Sequence, residues 1–259
     1  MARLTKLSRS IAGRGALVTG AASGMGRATA QLFADEGAQV AVTDLDKDQV
    51  ANVVDEVTKA GGQARGWVLD VGNDAEVARV VPEIAAAFGR LDIVVNNAGI
   101  ARFSPIDGPE YLAQWDISLS VLLTAHVRVI RAALPFLRKS DAARIVNIAS
   151  TEALGATKYG SPYTAAKHGV VGLTRSLAIE LGPERITVNC ICPGPIRTGM
   201  TAAIPEDQKA IFAKRRTALL RYADPEEVAH GTLNFCLPAS QYITGAVLPV
   251  DGGLTIRNA

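Results

Sequence analysis

Three side chains between residues 150 and 167 are of types that can move a proton together. Tyr163 and Lys167 stand four apart in a helical stretch, so they share one face. A free phenol titrates near about pH 10 and is a poor base at neutrality. A nearby ammonium favours the phenolate and is expected to lower that value. A Tyr so tuned can take the proton of an alcohol or return it. Ser150 closes an apolar run, and its hydroxyl can hydrogen-bond an oxygen on which charge develops. The plain alternative for Tyr163 is a core aromatic with a satisfied hydroxyl. Ser150 and Lys167 in register weigh against it.

A second constellation can hold an anion. Thr19-Gly20-Ala21-Ala22-Ser23-Gly24-Met25-Gly26 lies between a short apolar run and a helical pattern. Glycines let backbone approach a pyrophosphate, and a helix N-terminus offers it free N–H groups. Asp44 ends the next apolar run, 24 residues after Gly20. A carboxylate there can accept hydrogen bonds from a ribose diol and would repel a 2′-phosphate. Otherwise Asp44 is a solvated turn residue beside Asp46 and Asp48, which favour the start of the following helix.

These residues need elements to position them. Apolar runs at Ala16–Thr19, Val40–Thr43, Ala64–Leu69, Leu91–Asn96, Arg144–Ala149, Ile186–Ile191 and Ala246–Val250 read as strands. Between them, Arg27–Glu36, Asp48–Ala60, Asp74–Phe88 and Tyr163–Leu181 read as amphipathic helices. Asn73-Asp74 and Ser161-Pro162 are start signals; Gly37, Gly61-Gly62, Gly89 and Gly182-Pro183 are stop signals. Strands alternating with helices imply right-handed crossovers, hence a doubly wound α/β fold with a parallel sheet of about seven strands. Residues 1–259 are expected to form one domain. Thr198–Tyr222 breaks the alternation beyond a strand end, where a lid would sit. Its second half carries Lys209, Lys214, Arg215, Arg216 and Arg221 and no acidic residue, either a draw for an anionic substrate or a solvated helix face.

The motifs together resemble the short-chain dehydrogenase/reductase family. The glycine spacing is that of the family's cofactor loop. Leu69-Asp70-Val71 is similar to its third-strand motif and Asn96-Asn97-Ala98-Gly99 to its fourth. Ser150 with Tyr163-x-x-x-Lys167 is similar to its catalytic motif, Pro193-Gly194-Pro195-Ile196-Arg197-Thr198 to its nicotinamide segment, and Val250-Asp251-Gly252-Gly253 to its C-terminal strand. The resemblance implies hydride transfer between a nicotinamide cofactor and a secondary alcohol or ketone. Ser150, Tyr163 and Lys167 would be catalytic. Cofactor contacts are expected from Gly20, Ser23, Gly24, Met25, Gly26, Asp44, Leu45, Asp70, Val71, Asn97, Ala98, Gly99, Tyr163, Lys167, Pro193, Ile196 and Thr198. Asp44 selects NAD over NADP. Substrate contacts are expected from Ser150, Tyr163, Glu152, Gly194 and Met200, with Phe103, Tyr159 and Phe212 as further wall; for Glu152, Met200, Phe103, Tyr159 and Phe212 ordinary packing or solvent exposure is the stronger alternative. The family forms homotetramers or homodimers, and the same is expected here.

One position departs from the family. Its fourth catalytic residue, an Asn that holds a water linking the Lys to solvent, falls at Leu122, whether counted from Trp115-Asp116 or back from Leu134-Pro135. Leu can neither donate nor accept a hydrogen bond. Ser118, one turn earlier, is a candidate replacement. The rival reading is a protein that binds NAD with little catalysis. An epimerase, dehydratase or dehalogenase on this fold is a second rival. The intact loop argues against the dehalogenase, and a hydrolase lacks a histidine placed to activate Ser150.

Composition narrows the remaining classes. The 259 residues are 48% hydrophobic and 20% charged, with net charge +2. That apolar fraction excludes disorder, and near-neutrality gives no case for nucleic acid or membrane as the main partner. Apolar runs are broken every few residues, so no spanning segment is expected. Met1 to Gly15 has no apolar core for a secretory signal and reads as a polar lead-in. Cys190, Cys192 and Cys236 read as free, buried thiols of a cytoplasmic protein. His126, His168 and His230 have no ligand spacing, so no metal is expected.

Overall fold

The structure is a computed structural model and describes residues 4–257. The first three residues of the expected lead-in lie outside them. Seven strands form one sheet: β1 Gly15–Thr19, β2 Gln39–Asp44, β3 Gln63–Val68, β4 Ile93–Asn96, β5 Arg144–Ile148, β6 Thr187–Pro193 and β7 Val247–Val250. Their order is β3-β2-β1-β4-β5-β6-β7, and every pairing is parallel. The chain reverses its progression between β1 and β4. Diverging loops open a crevice at such a point, and ligands of doubly wound sheets bind there.

Strand alternation builds the two layers. Val18, Val42, Val95, Val146 and Ile148 join helices α1 Gly24–Asp35, α2 Lys47–Lys59 and α8 Pro225–Cys236 in one core. Leu17, Ala41, Val94 and Ile145 face the other way. They pack with α3 Asp74–Phe88, α5 Ala125–Leu137 and the C-terminal part of α6 Ser161–Leu181. Successive strand side chains point to opposite faces, so each strand serves both cores.

Start signals act as expected at two helices. The Asp46 carboxylate accepts from the N–H groups of Asp48 and Gln49, and Asn73 Oδ1 from those of Ala75 and Glu76. The α6 helix begins at Ser161, with Gly160 as its cap. The segment before α5 is unusual. Helix α4, Tyr111–Leu119, runs into a π-helical turn, Ser120–Thr124, and then directly into α5. The Arg128 guanidinium donates to the Ser120 carbonyl at 3.3 Å. Single π turns inside helices recur at functional sites.

The expected lid is mostly helical: a short 3₁₀ turn, Gly199–Thr201, then α7 Glu206–Arg216. Its basic run is not uniformly free. Lys209 is buried and pairs with Glu206, and Arg221 pairs with Glu227. Lys214, Arg215 and Arg216 are exposed. All three cysteines are free and buried, and Cys190 and Cys192 share one face of β6.

Candidate active site

The glycine turn is held by close backbone approach. Gly20 has φ +63°, and a Cβ on it would lie 2.7 Å from Ala98 Cα. A Cβ on Gly26 would sit 2.0 Å from the Gly20 carbonyl oxygen, so no larger residue fits there. Asn97 locks the turn from β4, its Nδ2 donating to the carbonyls of Thr19 and Gly20 at 2.9 and 3.0 Å. Thr19 Oγ1 in turn accepts from the N–H groups of Asn97 and Ala98.

Helix α1 opens from this turn without the devices seen at α2 and α3. Ser23 makes no side-chain cap bond, and no acidic residue lies in the first turn with Met25 and Gly26. Its leading N–H groups and positive dipole end are therefore left to an anion. Asp44 stands beside the turn at the end of β2, accepting from Ala22 N at 3.1 Å and Leu45 N at 2.7 Å. The Leu45 side chain is exposed. Past β3, Asp70 accepts from Gly72 N, and Val71 is buried against α3. Past β6, Gly194 is so close to the chain after β7 that a Cβ would lie 2.7 Å from Asp251 Cα. Ile196 is buried, Thr198 reaches over the turn towards Gly24, and Met200 is half exposed in the 3₁₀ turn. A phosphate-seeking helix start, a carboxylate for a diol and a strand-end wall thus line one crevice, and they fit a dinucleotide.

Ser150, Tyr163 and Lys167 meet at the far side of that crevice. Ser150 follows β5, and its Oγ accepts from Glu152 N at 3.1 Å. The Ser150 hydroxyl lies close enough to Tyr163 to favour its phenolate. Phe103 stacks on the Tyr163 ring at 6.3 Å between centroids and 23° between planes. Lys167 is buried, donates to the Ile148 carbonyl at 2.8 Å and lies 5.7 Å from the centre of the Tyr163 ring. Pro193, which ends β6, is buried.

The electrostatics differ from the expectation at Tyr163. Burial pushes the phenol up, the Ser150 hydroxyl opposes this, and the Glu152 carboxylate adds to the rise. Lys167 donates to the Ile148 carbonyl and keeps its positive charge 5.7 Å from the centre of the Tyr163 ring. Burial brings Lys167 itself down to about 8. Glu152 is tied to its own loop, accepting from Thr157 Oγ1 at 2.7 Å and Thr164 Oγ1 at 2.9 Å. Tyr159 has φ +66° and an exposed ring under Lys158. Phe212 packs edge-on against Tyr222.

Leu122, inside the π turn, is fully buried, and a Cβ on Gly99 would lie 3.3 Å from its Cδ2. Ser118 is fully buried, and its Oγ has no hydrogen-bond partner among the described residues. The sequence reading passed over His126. It is 2% exposed, neither ring nitrogen has a partner among the described residues, and Lys167 lies close enough to oppose its protonation. The available signal was a histidine four residues past Leu122 on an otherwise apolar face.

Sheet order, glycine turn and the Ser–Tyr–Lys group define a dinucleotide-binding α/β oxidoreductase. More narrowly, the chain belongs to the short-chain dehydrogenase/reductase family. Residues 20–255 match the family model described as enoyl-(acyl carrier protein) reductase. It is 42% identical over 95% of its length to the (2S)-[(R)-hydroxy(phenyl)methyl]succinyl-CoA dehydrogenase subunit BbsD of Thauera aromatica, covering 98% of that protein. It is 38% identical over 94% of its length to the 3-oxoacyl-[acyl-carrier-protein] reductase FabG of Thermotoga maritima, again covering 98% of the relative. A crystal structure of a dehydrogenase/reductase from Sinorhizobium meliloti 1021 superposes with a TM-score of 0.90 at 36% identity, covering 97% of this chain and 98% of that one.

Proposed function

We propose that this oxidoreductase interconverts a secondary alcohol and a ketone with NAD as cofactor and Tyr163 as the acid/base. The observation that carries this is the grouping of Ser150, Tyr163 and the buried Lys167, whose ammonium lies 5.7 Å from the centre of the Tyr163 ring, in a fold whose glycine turn leaves the start of α1 uncapped. Bound at that turn, the nicotinamide would supply the hydride acceptor or donor. Gly20, Ser23, Gly24, Met25 and Gly26 would hold its pyrophosphate, Asp44 and Leu45 the adenosine ribose, and Asp70 and Val71 the adenine. Asn97, Ala98, Gly99, Pro193, Ile196 and Thr198 would flank the nicotinamide half, and Lys167 would bind its ribose.

The chain's own residues handle the proton. Ser150 donates to the substrate oxygen and fixes it beside the phenol. Tyr163 then takes the hydroxyl proton in oxidation, or gives one to the oxygen in reduction. Gly194, Met200 and Glu152 border the substrate end. The curated relatives act on an acyl-CoA thioester and an acyl-carrier thioester by name, which supports trying hydroxyacyl thioesters beside simple alcohols. The companion inference is a cytoplasmic homo-oligomer.

The test is NADH formation at 340 nm with purified protein and a panel of secondary alcohols and hydroxyacyl thioesters, repeated with NADP. Tyr163→Phe is expected to lower kcat by about 10²–10⁴-fold, with NAD binding by calorimetry unchanged. Retained turnover in that variant excludes the mechanism. Leu122 favours the second reading, an NAD-binding protein with little catalysis; NAD binding without turnover across the panel would establish it.

A further inference from the structure

The inference below rests on the proposed hydride-transfer reading. Alcohol oxidation leaves a proton on Tyr163 that must reach solvent before the next turnover. At position 122, where the family places an amide side chain, this chain has a buried leucine. Yet the surroundings of Leu122 are not apolar. Ser118 lies one turn before it and His126 one turn after, both buried. Ser118 Oγ, His126 Nδ1 and His126 Nε2 have no hydrogen-bond partner among the described residues. Three unpaired polar atoms within two turns of one helix are costly, and buried groups of this kind are ordinarily paired by an ordered water.

The facing element supplies the other half. Helix α6 packs on α4 and on the π turn, with Leu123 filling the notch left by Gly169. From α6, Lys167 uses one N–H on the Ile148 carbonyl and has two more to donate. The π turn helps to set where the α5 side chains point, because it adds a residue to the helical turn ahead of His126.

We propose that His126, with Ser118, holds a water that accepts a hydrogen bond from Lys167, and that this water connects the Tyr163–Lys167 pair to solvent in place of an amide at position 122. His126 is a positioning residue and does not carry the proton. Burial and the Lys167 charge hold its pKa at about 3, so the ring stays neutral and keeps one acceptor nitrogen and one N–H. Among the described residues, Lys167 is the charged group acting on it. When the relay runs, an N–H bond of Lys167 breaks and an O–H bond forms on the held water, which gives up a different proton to bulk water. The O–H bond formed at Tyr163 then breaks as the Lys167 N–H bond re-forms, so the site returns to its starting protonation.

The test combines rescue kinetics with a measurement that needs no cofactor. His126→Leu is expected to lower kcat by about tenfold or more, with KM for NAD unchanged and the rising limb of the pH–rate profile moved to higher pH. Adding Leu122→Asn to His126→Leu is expected to return most of the lost kcat. A merely structural role for His126 would not give that rescue. Independently, ¹⁵N spectra of imidazole-labelled wild type without cofactor should show a hydrogen-bonded acceptor nitrogen on His126 that shifts in Lys167→Met. The proposal is overturned if His126→Leu keeps kcat within twofold, if the double variant recovers nothing, or if the ring nitrogens look unpaired and ignore Lys167→Met. A wild type silent with both cofactors would end the enzymatic reading instead, and the imidazole spectrum would still decide whether the water is held.

Discussion

Asp44 shows how a single carboxylate can serve two ends. One oxygen accepts from Ala22 N, so the side chain fixes the glycine turn that it also borders. In the proposed cofactor placement its charge would meet a ribose diol or a 2′-phosphate. A charge-assisted hydrogen bond contributes about 1.5–3 kcal/mol, tenfold or more in an equilibrium. Asp44→Ala is therefore expected to reduce kcat/KM for NAD by about tenfold and to narrow the NAD to NADP ratio. Asp44→Asn, which keeps an acceptor for Ala22, separates loop positioning from charge. A ratio unchanged in both variants, measured by initial rates with each cofactor, would show that Asp44 does not read the ribose. At the same scale, the direction of the Tyr163 shift was not legible in the sequence. Four-residue spacing places Lys167 beside Tyr163, but only the fold shows the burial that raises the phenol.

Secondary structure was legible wherever local chemistry decides it. Apolar runs match all seven strands to within two residues or so; for β1, β2, β4, β5 and β6 the reason is burial on both faces, whereas the edge strands β3 and β7 are partly exposed. Asp46 and Asn73 cap the helices that their positions suggest. The π turn was not legible, since nothing in Ser120–Thr124 marks an added residue and packing on α6 decides it. His126 was hidden for a related reason: within an apolar helix a lone histidine reads as filler until its neighbours are known. Its burial has a consequence for the stability of the whole helix. The free imidazole binds a proton below about pH 6.5, the folded one only near about 3. Between those values the unfolded chain binds more protons, so stability is full above about pH 6.5 and falls as the pH drops through this window. His126→Leu is expected to remove about 3 kcal/mol of the loss between pH 7 and pH 4. Urea midpoints of both proteins at the two pH values check this, and parallel declines would place the acid sensitivity elsewhere.

At the scale of the molecule, the rod from Tyr111 to Leu137 is more apolar than one chain can use. Its 27 residues are long and apolar enough to cross a bilayer by length and composition, and only 39% of its most apolar window is buried. Leu112 and Ile117 are exposed on it, and Ile179 is exposed on the neighbouring α6. Exposed large apolar side chains on one helix are natural points for something else to cover. A bilayer is a poor fit, since the same rod carries Asp116, Arg128 and Arg131, and each charge is costly in hydrocarbon. A second copy fits better, because two rods packed together can bury Leu112 and Ile117 and leave the charges at the rim. The protein is therefore expected to run as a dimer or tetramer by size-exclusion with light scattering. Leu112→Glu combined with Ile117→Glu should shift it towards the monomer, since burying two carboxylates at an apolar contact costs several kcal/mol, on the order of a hundredfold or more in association. A wild type that stays monomeric at high concentration would leave Leu112 and Ile117 uncovered in solution and would turn attention to lipid, which vesicle flotation measures directly.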